Sequence, residues 1–165
     1  MTRSLFSHRL VRRLRDTRGG SLVEAALITP LLLMLTFGII DFASMFYVYL
    51  ALENGVSQAT RYGVTGNLKD DPSNPGTPLN RVDSIKLAMR QATPTLTIPD
   101  GYFTFNHLPV GSATWVPGVG GPGEVEKVTV NYTWTFLTPL IRPFFTGGQL
   151  AIQVDSSMKN EERFN

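Results

Sequence analysis

The chain has 165 residues, 42% of them hydrophobic, with 15 glycines and 11 prolines, which suits one small domain plus an extra element and excludes a coiled-coil rod. The formal charge of +2 hides an asymmetry: residues 1–20 hold six arginines and one acid, Asp16, while the remainder carries more acids than bases. There are no cysteines, which excludes disulfides and thiolate chemistry, and the basic tail has none of the aromatic interleaving that nucleic-acid binding uses, so no nucleic-acid partner is expected.

Residues 1–19 read as a basic leader. Residues 20–65 read as one long helix. From Ala25 to Ile40 nothing is charged, Asp41 interrupts, and Phe42 to Leu52 is again uncharged. As a helix this run is about 42 Å long, more than a hydrocarbon core of roughly 30 Å. A spanning segment over about residues 22–52 is therefore expected. Arginines 3, 9, 12, 13, 15 and 18 precede it, so the positive-inside rule keeps that end cytoplasmic and puts the C-terminal domain across the membrane. A cleaved signal peptide has a shorter apolar stretch and a small-residue cleavage site, which this segment lacks.

The helix changes character along its length. Leu52, Val56, Ala59 and Tyr62 recur at helical spacing, an apolar stripe beyond the membrane that predicts packing on a soluble domain. Pro30 removes a donor and can kink the helix, and Thr29 and Gly38 could soften it. Residues 66–80 form a loop with three prolines. Asn80 reads as an N-cap with Asp83 three residues on, opening a short helix with Val82, Ile85, Met89 and Ala92 on one face, stopped by Pro94. Residues 95–98 and 102–106 read as a hairpin around Pro99-Asp100-Gly101. Residues 110–123 form a Gly/Pro loop carrying Trp115. The strongest strand is 124–137: Val128, Val130, Tyr132, Trp134 and Phe136 face one way, and Thr129, Asn131, Thr133 and Thr135 the other. Residues 149–156 alternate again, and 159–165 is a polar tail. The expected class is α+β: a long N-terminal helix packed at its outer half, with a short helix, against an antiparallel sheet of about four strands, in an extracytoplasmic domain over 81–158.

Catalytic chemistry is missing from the pattern. His8 and His107 stand alone, and no metal-ligand spacing or phosphate-binding motif exists. Gly118, Gly120, Gly121 and Gly123 form a turn interrupted by Pro117 and Pro122, with no lysine at phosphate-binding spacing. No catalytic residue, metal or cofactor is expected. Two acids remain. Glu24 and Asp41 are seventeen residues apart, about 25 Å on a helix. That nearly matches the bilayer core, so both could sit at interfaces, Asp41 near the periplasmic one or paired with a helix of a partner.

The stretch Arg18-Gly19-Gly20-Ser21-Leu22-Val23-Glu24 resembles the processing region of type IV prepilin-like proteins: a basic leader ending in Gly, a glutamate five residues after the cut, and an apolar helix. The wider segment RGGSLVEAALITPLLLMLTFGIIDFA is similar to the TadE-like family of tight-adherence (Flp-type) pilus systems. Gly19, Val23, Glu24, Ala26, Pro30, Leu31, Phe37, Gly38, Ile39, Asp41 and Phe42 occupy matching positions, with VTVNYTWTFLTPLIRPF and SSMKNE further along. Ala25 stands where the family usually has Phe, and the second glycine leaves cleavage after Gly19 or Gly20 open.

The resemblance implies a pilin-like fold and a minor pilin or pseudopilin acting in pilus priming, tip or assembly. Its implied partners are a prepilin peptidase, other minor and major pilins, membrane lipid, and an inner-membrane platform with its cytoplasmic ATPase. Glu24 would pair with the amine freed on Gly20 and set subunit register, while Pro30, Gly38 and Asp41 would be polar or kink positions of the membrane helix. Two other readings stay open: a non-polymerised inner-membrane scaffold of the assembly machine, and a periplasmic binding module on a signal anchor.

Overall fold

The computed structural model describes residues 18–164. The leader before Arg18, with His8 and all the arginines but the last, lies outside them. Helix α1 runs Arg18–Gly63 as one element, straight through Pro30 in its hydrogen-bonding class. Proline at 30 leaves the Ala26 carbonyl without its usual amide partner, a loss that does not end the helix.

A stripe on α1 meets the domain. Val48, Leu52, Val56 and Ala59 are buried, as their spacing predicts, and Met45 packs partly against the same core. Tyr62, expected on this stripe, is half-buried, with the Lys69 ammonium 4.6 Å from its ring centroid. Helix α2, Arg81–Ala92, adds Ile85 and Met89. It begins where the sequence puts it: the Asn80 side chain accepts from the Asp83 amide at 2.9 Å and donates to the Asp83 carboxylate at 2.7 Å. The two helices approach closely because residue 55 is glycine. A Cβ there would stand 2.5 Å from the Thr93 methyl and 3.3 Å from Met89 Cγ. Helix propensity favours Ala over Gly by about 1 kcal/mol, but crowding a tight contact costs about 1–3, so packing decides the residue.

After a two-stranded ribbon, β1 (Asp70–Asp71) and β2 (Asn74–Pro78), comes a four-stranded antiparallel sheet. Its strands are β3 (Phe103–Leu108), β4 (Val116–Pro117), β5 (Val125–Thr135) and β6 (Gln149–Lys159), in the order β4-β3-β5-β6. The sheet packs on the outer half of α1, giving the expected α+β layers. The alternation of β5 holds: Val128 and Val130 are fully buried, Tyr132 and Trp134 pack against the core, and Asn131, Thr133 and Thr135 are exposed. Thr129 departs from it, buried on the far face.

Some expectations need correction. Residues 95–98 form no strand, so the 95–106 hairpin is absent. The Leu96 amide instead donates to Thr93 O in a turn after α2, and the Arg90 guanidinium donates to Ile98 O at 3.0–3.1 Å, taking the carbonyl a strand partner would use. Residues 66–80 are not simply a loop, because β1 and β2 pair there: Asp71 accepts from the Ser73 amide at 2.8 Å, and Gly76 takes a positive φ of 88°. The 110–123 loop likewise contributes β4, which pairs with β3 at Asn106 and His107.

The end of α1, the start of α2 and the C-terminal segment are tied by one buried cluster. Arg81 donates to Glu126 at 2.6 Å, to Asn160 at 3.0 Å, and to the carbonyls of Gly63 and Gly120. Asn160 donates in turn to the carbonyls of Val119 and Gly121. The Gly-rich turn therefore commits one carbonyl to the Arg81 cation, two to Asn160, and its Gly121 amide to Glu124. Residues 159–165 are not merely a polar tail: Asn160 is buried, and the Glu161 amide donates to Val64 O.

Glu126 is fully buried and its Oε1 has no partner among the described residues. Burial pushes its carboxyl up to about 7, against the pull of Arg81. Burial also lowers Arg81, and Glu126 opposes that. Between the ordinary glutamate value of about 4.3 and that raised value, the folded chain holds a proton the unfolded chain has released. Stability from this group is thus greatest below the ordinary value and is lost as pH rises through about 7. Thermal unfolding of the detergent-solubilised chain should show a midpoint that falls between about pH 5 and about pH 7.5, and Glu126→Gln should flatten that slope. Arg81→Ala, which breaks the buried pair, should cost about 3–5 kcal/mol.

Candidate assembly and membrane-exit site

The inner half of α1 is bare except at Phe37 and Gly38, which are partly buried. Leu22, Val23, Leu27, Ile28, Leu31, Leu32, Leu35, Ile39 and Ile40 are all about half exposed or more, and the most apolar stretch of the helix has none of its residues buried. A core helix of a soluble protein would be covered there. Thr36 Oγ1 is folded back onto Leu32 O, and just beyond the bare half Ser44 Oγ onto Ile40 O, both at 2.8 Å. From Leu22 to Ile40 the helix rises about 28 Å, close to a hydrocarbon core of roughly 30 Å.

Packing begins abruptly at residues 38–41. A Cβ on Gly38 would lie 3.7 Å from Ile141 Cδ1, an ordinary contact distance, so the 136–148 loop already lies against the helix here. One turn on, Asp41 is fully buried. Its carboxylate accepts from the Leu137 amide at 2.7 Å, from the Thr138 amide at 3.2 and 3.3 Å, and from the Thr138 hydroxyl. Three donors from one loop satisfy a carboxylate that burial would otherwise penalise. Phe136, also fully buried, packs edge-on to Phe42 at 6.1 Å and stacks on Phe145 at 4.2 Å. Arg142 Nε donates to Phe136 O at 2.8 Å and closes the loop. The uncharged run to Leu52 therefore does not mark the packing boundary: Val48 and Leu52 are already domain core.

The residues predicted as a site fall into two groups that the structure does not bring together. Gly19, Gly20 and Glu24 lie in the first two turns of α1; Glu24 is exposed, and nothing stands within 4 Å of where a Cβ on either glycine would sit. Pro30 is exposed on the bare half. Gly38 and Asp41 share the boundary with the 136–148 loop. Asp41 thus has hydrogen-bond partners within its own chain. His107 lies 3.7 Å from Glu124 through Nε2, and among the described residues no group of three His, Cys, Asp or Glu side chains could hold a metal ion.

Asp41→Ala should cost roughly 1.5–3 kcal/mol, since it strands two amide donors beside a buried helix face. Asp41→Asn keeps one acceptor and should cost less. Thermal unfolding with limited proteolysis in detergent checks this: the Ala variant should melt lower and be cut within 136–148, where wild type resists.

Residues 19–61, about a quarter of the chain, match the family model described as TadE-like protein, and no curated protein or solved structure matches the chain significantly. The match covers both groups of site residues and the stripe beyond them. An N-terminal apolar helix of this kind fits a membrane anchor in a pilus protein. The long helix of this chain is thus a TadE-like segment, consistent with a TadE-like protein of tight-adherence pilus assembly.

Proposed function

We propose that this chain is a minor pilin or pseudopilin of a tight-adherence pilus, held in the bacterial inner membrane by the inner half of α1 until it is assembled. One observation carries the reading. The TadE-like match lies on a single helix whose inner half is bare and whose outer half is domain core. A rod of that form can be anchored in lipid through its bare half, and the same apolar surface can later be buried between neighbouring helices. The arginines before Leu22 orient it with the N terminus cytoplasmic and the domain periplasmic. The spanning segment ends near Asp41, where the domain begins to cover the helix.

In this reading a prepilin peptidase cuts beside Gly19-Gly20, and an assembly platform driven by a cytoplasmic ATPase moves the subunit toward other pilins. Glu24 pairs with the freed amine of Gly20 in its own or a neighbouring chain. In a low-dielectric bundle that pair sets register more than it adds stability. No covalent chemistry is assigned to the chain itself, which serves as the peptidase's substrate and as a structural subunit.

Two variants separate the steps. Gly19→Ala should block or slow cleavage and leave an uncut precursor. Glu24→Gln should insert and be cleaved, because basic flank and apolar length are unchanged. It should then assemble poorly, since an unpaired buried ammonium costs on the order of 3–5 kcal/mol and even about 1.4 kcal/mol lowers incorporation tenfold. Immunoblot mobility and yield in sheared pili read both. Normal incorporation of the Glu24→Gln chain would remove the pairing role. A wild-type chain found only in membranes would instead make the protein a scaffold of the machine.

A further inference from the structure

The loop that Asp41 holds carries more exposed apolar surface than its size explains. Leu137, Leu140 and Phe144 are 54%, 47% and 68% exposed, although Ile141 beside them is buried against α1. The loop is fixed to the helix at Gly38 and Asp41, where the bare run meets the domain. Just beyond, Phe46, Tyr47 and Tyr49 are exposed on the same helix, about 12 Å on from Asp41 at most. Exposed aromatic rings at that height are what the headgroup region of a bilayer accommodates.

Charge and hydrogen bonding agree. Residues 136–148 contain one charged residue, Arg142, and no acid. Arg142 is exposed and commits its Nε to the loop's own backbone, leaving the rest of its guanidinium for an anion. The amides of Phe136, Leu137, Thr138, Phe144, Phe145 and Gly148 are all paired within the protein, and Pro139 and Pro143 have none to satisfy. Pairing spares those six amides the cost of bare donors in an apolar environment; no such bond serves the amides of Leu140, Ile141, Arg142, Thr146 and Gly147, which sets the loop backbone at headgroup level.

We propose that the 136–148 loop is a second membrane contact, a foot whose Leu137, Leu140 and Phe144 enter the outward-facing leaflet while Arg142 meets lipid phosphate. The domain then rests on the bilayer instead of hanging from a single helix. The occupant is lipid and not a second copy, because the patch continues the bare helix surface already assigned to lipid and its one free charge suits phosphate. This rests on the anchor reading above.

Because the chain has no cysteine, single-cysteine variants can be labelled directly with an environment-sensitive fluorophore. The full chain is reconstituted in phosphatidylcholine–phosphatidylglycerol vesicles with the label at Leu140→Cys, Phe144→Cys, Leu33→Cys in the bare helix, or Ser73→Cys in the far β1–β2 turn. Labels at 140 and 144 should emit to the blue of the Ser73 label and be quenched by lipid bearing a nitroxide near its headgroup, more than by one at the chain end. The Ser73 label should respond only to aqueous iodide. If 140 and 144 behave like 73 while 33 is quenched by lipid, the foot is overturned and the anchor stands. If 33 also escapes lipid quenching, both fall. Labels at 140 and 144 shielded from iodide and lipid alike would mean that protein covers the loop, which also overturns the proposal.

Discussion

A single carboxylate decides where this molecule stops being a bare helix and becomes a domain. Asp41 is fully buried, and its oxygens accept from two amides and a hydroxyl of residues 137 and 138. An acid on so apolar a stretch of helix is tolerable only with its acceptor capacity filled, and the loop has few other partners for those amides. Each side therefore satisfies the other. With the loop fixed there, Phe136 sits edge-on to Phe42 and stacks on Phe145, β5 and β6 are connected close to the helix, and the sheet is set against the stripe that begins at Met45.

The consequence is a shared rod. The segment from Val48 to Ala59 is core to the domain, and the segment from Leu22 to Ile40 is bare, yet one uninterrupted helix holds both. Force or displacement applied to one half is transmitted to the other without a hinge loop between them. The far end is secured in a different way, by Arg81 and Asn160 gathering the end of α1, the Gly-rich turn and the C-terminal segment. A subunit that must leave one environment and pack into another needs its domain fixed to its anchor, and these two polar ties at opposite ends of the outer half do so.

Much of the fold was legible because it rests on short-range periodicity. The Leu52, Val56, Ala59 spacing, the Asn80 cap and the β5 alternation each follow from local backbone geometry. What was illegible rests on long-range pairing. Asp41 could be flagged as costly, but its acceptors lie 96 and 97 residues on, and no local pattern names them. Glu126 and Asn160 lie 45 and 79 residues from Arg81, and nothing local joins the three. The one signal for that cluster was Glu126 on a strand whose neighbours all alternate toward the core. The 95–98 segment misled for the same reason: its carbonyl goes to an arginine side chain of α2, which strand propensity cannot anticipate. For the site, Gly19 and Gly20 were named by resemblance and Glu24 also by its charge at the edge of an apolar run, while Gly38 lies where Ile141 meets the helix.

The account depends most on the loop being locked to the helix through Asp41. Amide hydrogen exchange of the full chain in lipid or detergent, read at single residues, tests that most directly. The amides of Leu137 and Thr138 should exchange as slowly as those of Val128 and Val130 in the central strand, although the loop around them is exposed. Exchange as fast as at Ala113, in the exposed loop before β4, would contradict the account and leave Asp41 a buried acid without an explanation.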